Sequence, residues 1–276
     1  MHIYSFYLAI SFLSINLYSM IGFFIKKAFF DGWDNLIGLV LYNLVSIGLL
    51  ILLLLASYLT EVSTLVWLLA IVLTLLIFCL FSGALSNVCY EYSNYRRSGF
   101  SVFREGFSRY FKHSLFYFVF LLLMFVIAFV VIPFYLSING VVGMLLAVVM
   151  LWVFIIMALI MPYYLALSSY LPGDGPFKTF KKCFLVMADN MGFSLFFALY
   201  NLVMIVLSVV TMGFIPGVAG MNLASHDAVK LIMLKYDYLE ENPDTDKKHL
   251  PWEDILFEEK EKVGPRSFRS MIFPWK

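Results

Sequence analysis

His226, Asp227 and Lys230 bring an imidazole, a carboxyl and an ammonium group into one short stretch of the chain. On a helix Asp227 and Lys230 are three residues apart and His226 and Lys230 four apart, so the three share a face. An imidazole beside a carboxylate can hold or pass a proton near neutral pH. A lysine on the same face can neutralise that carboxylate or take an anion. Ionisable groups inside an apolar span are expensive and often functional, so the three form a candidate intramembrane polar site. Asn87 and Ser168 are read with them. The stretches Ala84-Leu85-Ser86-Asn87, Ala166-Leu167-Ser168-Ser169 and Leu223-Ala224-Ser225-His226 lie at similar depths in three apolar segments and suggest a polar layer where those segments meet. The structural reading stands beside the functional one. Asp227 and Lys230 would neutralise each other, and the small polar residues would hydrogen-bond between helices, each pair contributing roughly 0.6 kcal/mol.

A second set of candidates is C-terminal: Trp252, Arg266, Phe268, Arg269, Phe273 and Trp275. Cations interleaved with aromatic rings after an acidic stretch suit a linear motif that docks on a protein partner, or a contact with an anionic membrane surface. Catalytic signatures are missing. The sequence has no Walker-type glycine loop, no HExxH, no Gly-x-Ser-x-Gly and no clustered carboxylates of the kind a catalytic metal requires. No enzyme activity, cofactor, metal ion or nucleic-acid partner is expected. Cys79, Cys89 and Cys183 are odd in number, lack metal-ligand spacing and read as packing residues.

The elements that must position these residues are membrane helices. Hydrophobic residues make up 62% of the chain and charged ones 13%, against about 25% charged in soluble domains. From His113 to Gly173 there is no Asp, Glu, Lys or Arg. That run is roughly three times the ~20 residues a crossing needs, so it is two crossings joined by a turn at Ser137-Ile138-Asn139-Gly140. Apolar stretches run from Tyr4 to Ile25, Asn35 to Leu59, Thr64 to Cys89, Ser114 to Leu136, Val141 to Leu171 and Gly192 to Gly213. A weaker one follows from Pro216 to Tyr236. Six to seven spans are expected.

Every Lys and Arg before the tail falls in one of four places: Lys26-Lys27, Arg96 to Lys112, Lys178 to Lys182, and Lys230 with Lys235. The alternate connections, Thr60 to Ser63, Ser137 to Gly140 and Phe214 to Pro216, carry none. Basic residues are retained in the cytoplasm, so the four basic places and the C-terminus are expected there, in a bacterial plasma membrane. The first apolar stretch lacks a basic n-region and a cleavage site, and reads as an uncleaved anchor. Ser11, Ser14, Asn16 and Ser19 dilute it enough to leave an interfacial helix open, along with a start at Met20.

Self-similarity orders the spans. Lys26-Lys27-Ala28-Phe29 through Asp34-Asn35 and Lys181-Lys182-Cys183-Phe184 through Asp189-Asn190 both read KK-x-F-x-x-x-x-D-N. The stretch around Arg104 to His113 fits the same frame more loosely. Three units follow, at about 24–99, 100–176 and 177–238, each an amphipathic elbow helix, a span out, a tight turn and a span back. Asp34 and Asp189 are placed to cap the outward spans. The fold expected is all-α, a polytopic helical bundle over residues 1–238 followed by a charged, aromatic tail over 239–276. Within that tail Glu253 to Lys262 reads as one short helix.

This pattern resembles the YesL-like family of bacterial integral membrane proteins. The resemblance rests on Asp34-Asn35-Leu36 through Asn43, the elbow from Phe100 to Lys112, Pro162 to Leu171, Phe177 to Asn190 and Pro216 to Leu223. It implies an accessory or regulatory role beside carbohydrate ABC importers, with components of such an importer as partners and no catalytic residue to carry over. The N-terminal span and the longer tail depart from the family pattern. An importer permease itself is not expected, because no Glu-Ala-Ala-type coupling loop is present. Two functions are therefore carried forward: a non-enzymatic accessory protein that binds a partner through its elbows and tail, and a small-solute transporter or channel with a path between the hairpins.

Overall fold

A computed structural model of the chain describes residues 19–246 and 250–266. These are helical, with no strand among them. Helix α1 covers residues 19–34. It is followed by α2 (Leu36–Ala56), a 3-10 turn (Ser57–Glu61), α3 (Thr64–Ser93), α4 (Phe100–Arg109), α5 (Phe111–Val126), a π-helical segment (Ile127–Val131), α6 (Ile132–Ser137) and α7 (Val141–Tyr170). Then come α8 (Pro176–Asp189), α9 (Met191–Val210), α10 (Gly217–Glu241), α11 (Trp252–Ile255) and α12 (Phe257–Val263). Five stretches are long and apolar enough to cross a bilayer: Leu36–Glu61, Thr64–Ser93, Phe111–Ser137, Val141–Tyr170 and Met191–Val210. The protein is a multi-pass helical membrane bundle. Whether residues 4–18 cross lies outside the described residues.

Burial divides the bundle into two ends. The first halves of α3 and α7 expose Leu65, Leu69, Leu73, Leu145, Val149 and Trp152, which acyl chains can cover without cost. Their second halves, and the first turns of α2, α5 and α9, converge into a close-packed end. There Cys79 to Cys89 of α3 and Tyr163 to Ser169 of α7 surround α10. Helix α10 is the most polar long helix and also the best enclosed, with every residue from Leu223 to Ile232 buried. It packs on α2, α3, α7 and α9. That enclosure explains its weak hydropathy: its side chains answer to neighbouring helices, not to lipid.

The three short amphipathic helices lie against this end. Helix α4 rests on α3, where a Cβ on Gly106 would stand 2.6 Å from the Ala84 carbonyl oxygen, so only glycine admits the approach. Helix α8 rests on α7. Helix α1 packs into the same core cluster as α10 through Phe24 and Ala28. At the opposite end the π turn precedes Pro133 and takes up the backbone bonding that proline disrupts.

One side chain fixes where α10 begins. Asn43 of α2 donates through Nδ2 to the carbonyls of Phe214 (2.9 Å) and Pro216 (2.7 Å), and its Oδ1 accepts from Ala219 N–H at 2.8 Å. Gly217 sits directly beneath it at φ 60°, where a Cβ would come within 2.3 Å of Asn43 Cγ. Asn43→Leu strands these buried backbone groups, each costing about 1–3 kcal/mol. We expect this variant to lower the unfolding midpoint in detergent by several degrees, whereas Asn201→Leu, whose amide Nδ2 bonds its own helix at Phe197, should have little effect.

Candidate functional site

Helix α3 ends in a way that prepares a cation site. Its last turn closes with Tyr95 N–H on the Tyr92 carbonyl and Arg96 N–H on the Glu91 carbonyl, both at 2.9 Å. That is the glycine-terminated helix stop, here with Tyr95 at the left-handed position, φ 58°. A tyrosine there costs roughly 1–2 kcal/mol against glycine. Its ring lies 4.0 Å from Lys27 Nζ and 4.7 Å from Lys230 Nζ, and cation–π attraction of desolvated ammoniums, about 2 kcal/mol, offsets the strain. The Ser93 carbonyl has no helical donor left to satisfy it. It accepts from Lys27 Nζ and from Lys230 Nζ, each at 2.9 Å.

Three carboxyl groups complete the cluster. Lys27 Nζ lies 2.6 Å from Asp31 Oδ2, 3.6 Å from Asp227 Oδ1 and 3.5 Å from Glu259 Oε2. Lys230 Nζ lies 3.0 Å from Glu259 Oε1, and Tyr95 O–H donates to Glu259 Oε2 at 2.8 Å. Lys262 approaches Glu259 at 3.4 Å from the half-exposed rim. Three ammoniums thus face three carboxyl groups, and Lys27 and Asp227 are 0% exposed. Asp227 faces Lys27 and stands beside the carboxyl of Asp31. Burial pushes the Glu259 carboxyl up, but Lys230 and Lys27, with hydrogen bonds from Lys230 and Tyr95, outweigh it and hold the group below the usual glutamate value.

His226 belongs to a different cluster. Its Nδ1–H donates to the Asn222 carbonyl at 2.9 Å, and in the neutral ring that leaves Nε2 as the acceptor for Ser86 Oγ (3.0 Å) and Ser169 Oγ (3.2 Å). This is where α3, α7 and α10 meet. The single shared face expected of His226, Asp227 and Lys230 is therefore corrected. The 100° step between His226 and Asp227 turns them to different neighbours, and the long Lys230 stem carries its ammonium to Ser93 and Glu259. Ser168 is also elsewhere, bonding its own helix at Leu165 (2.7 Å) while Ser169 faces the layer. Asn87 ties the elbow α4 to α3, donating to the Val102 carbonyl at 2.8 Å and accepting from Arg109 at 3.3 Å.

The tail is folded back onto α1. Trp252 is buried in the core cluster with Leu250, Ile255, Leu256 and Val263. Arg266 grips Asp34 with 2.8 Å contacts to both carboxylate oxygens and lies over the Phe30 ring at 4.7 Å; Lys26 Nζ donates to the Gly264 carbonyl at 2.9 Å. Asp34 is thus a tail anchor and caps no helix. Asp189, its counterpart, takes Lys235 and Tyr236, each at 3.1 Å. The single helix expected over Glu253 to Lys262 is α11 and α12, divided at Leu256. Phe268, Arg269, Phe273 and Trp275 lie outside the described residues. Sequence reasoning missed Lys27, Asp31, Tyr95 and Glu259. A signal for Glu259 existed: it stands within the helical stripe Trp252, Ile255, Leu256 and Val263, a charge on the face meant for burial.

No family model, curated protein or solved structure matches this chain. No group of His, Cys, Asp and Glu among the described residues could hold a metal ion.

Removing one partner of a buried pair leaves the other uncompensated, so Lys27→Met is expected to cost about 3–5 kcal/mol in reversible detergent unfolding. The Glu259 carboxyl is depressed in the folded state. Its contribution to tail docking is complete above the ordinary glutamate value, about 4.3, and is lost as pH falls through the lower folded value. Amide exchange over residues 252–263, corrected for intrinsic rates, should show protection at pH 6 that fades toward pH 3. Glu259→Gln should lower that protection already at pH 7; pH-independent protection would contradict the assignment.

Proposed function

We propose that the chain is a non-enzymatic accessory or regulatory membrane protein of the bacterial plasma membrane, binding a protein partner through the tail and the elbow helices. The charged end, with α1, α4, α8 and the tail, lies on the cytoplasmic side, where positive residues are retained. In this reading the elements form three units, α1 to α3, α4 to α7 and α8 to α10, and α10 makes a sixth crossing packed against α2, α3, α7 and α9. Similarity to the YesL-like pattern adds the expectation that the partner belongs to a carbohydrate ABC importer.

The observation that carries the proposal is where the polar groups stop. Lys27, Asp31, Asp227, Lys230 and Glu259 are engaged with one another, and His226 with Ser86 and Ser169, all in the close-packed half. Beyond it the space between α2, α3, α5, α9 and α10 has walls of Leu50, Leu53, Leu68, Leu75 and Ile205, relieved only by Ser46, Thr74 and Ser208. A hydrophilic solute would have no succession of polar groups to follow across the bilayer. That favours the adaptor over the transporter.

Two measurements test this. Truncation after Arg266 keeps the docked helices and should abolish capture of an importer component from native membranes in mild detergent; undiminished capture would count against the tail as the binding element. Cysteines introduced at Arg97 and Lys182 should resist a membrane-impermeant maleimide in intact cells and react after permeabilisation. The native Cys79, Cys89 and Cys183 are buried and give little background. Labelling in intact cells would reverse the orientation.

A further inference from the structure

The feature left unexplained is a groove on the lipid face of the bundle, between α2, α3 and the start of α4. Its volume is about 580 Å3, and its walls include Leu41, Val45, Ile77, Phe81 and Phe103. Because α2 and α3 are spans, this groove opens to acyl chains, and its natural occupant is a lipid tail. The mouth decides which lipid. Ser98 and Gly99 line it. Beside them, between Tyr95 and His113, the chain carries Arg96, Arg97, Arg104, Arg109 and Lys112 against a single acid, Glu105. Arg96 lies 3.6 Å from Glu91 and Arg109 reaches Asn87, whereas Arg97 is exposed.

Two further details point to an anionic headgroup at that mouth. The Ser98 hydroxyl oxygen is buried and has no hydrogen-bond partner among the described residues. Helix α4 begins at Gly99 without a side-chain cap. The N–H groups of its first turn therefore have no helical acceptor, and they carry the positive end of the helix dipole. A hydroxyl and open backbone N–H groups at the mouth of an apolar slot, with exposed Arg97 next to Ser98 in the chain, are complementary to a phosphate joined to a hydrocarbon chain.

We propose that this groove is a binding site for one anionic phospholipid, its acyl chain between α2 and α3 and its headgroup phosphate at Arg97, Ser98 and the N-terminus of α4. The elbow α4 then reads lipid charge as well as seating the bundle.

The test uses the full-length protein in a neutral detergent, titrated with dioleoyl phosphatidylglycerol, dioleoyl phosphatidylcholine or inorganic phosphate, with bound molecules counted by native mass spectrometry. One phosphatidylglycerol per chain should bind about tenfold more tightly than phosphatidylcholine, whose phosphate can make the same contacts but whose choline cation the basic mouth repels. Exposed Arg97→Ala should erase that ratio, lipid-facing Leu41→Trp should block both lipids, and inorganic phosphate should neither bind nor compete. Equal binding of the two lipids, an Arg97→Ala protein that keeps its preference, or phosphate that displaces phosphatidylglycerol would each overturn the proposal. Both substitutions are at exposed positions, so a folded variant is available for every arm.

Discussion

A charge removed from water must find its counter-charge inside the protein, and in this chain that requirement falls on Lys27. Its ammonium is enclosed by Asp31 on its own helix, the Ser93 carbonyl at the end of α3, Asp227 on α10 and Glu259 on α12. Desolvating a single ion costs several kcal/mol even after relaxation, and the cost is recovered only when every partner is in place. Four elements distant in sequence therefore have to assemble together. The tail, which by composition belongs in solvent, supplies the carboxylate that bridges Lys27 and Lys230.

The same constraint accounts for the division of the bundle. Polar groups gather at one end because they can satisfy one another only where helices are closely packed, and glycine at 106 lets that packing form. Away from it much of the helix surface faces lipid, and a small apolar cluster of Phe120, Ile127 and Met157 holds the third and fourth spans together. Helix α10 joins the two regimes. It is anchored by Asn43 at its beginning, by His226 where α3 and α7 cross it, and by Lys230 and Lys235 toward its end. The adaptor role proposed above is well served by such a design, in which one closely packed end carries the elbows and tail.

The crossings were legible because hydrophobic length is a local property. Stretches such as Thr64 to Cys89 and Val141 to Leu171 coincide closely with α3 and α7. The weak segment from Pro216 was legible as a helix, but its enclosure was not, since that depends on three other helices. The motif at Lys26-Lys27 was visible as a repeat, while its chemistry was hidden: the partners of Lys27 lie near residues 93, 227 and 259. Asp34 was misread as a cap because capping is a local rule and the Arg266 contact is not. Ser168 and Ser169 could not be ranked without the rotation of α7. Pairing across the whole chain is the information a single sequence withholds.

The buried charge cluster is complete only if the tail is bonded into it through Glu259. A double-mutant cycle on Lys230→Met and Glu259→Gln, read by reversible unfolding in detergent, measures this directly. A buried, hydrogen-bonded pair predicts a coupling of at least about 1.5 kcal/mol. A coupling near zero, as for exposed ion pairs, would mean that α12 does not occupy this site and would contradict the account.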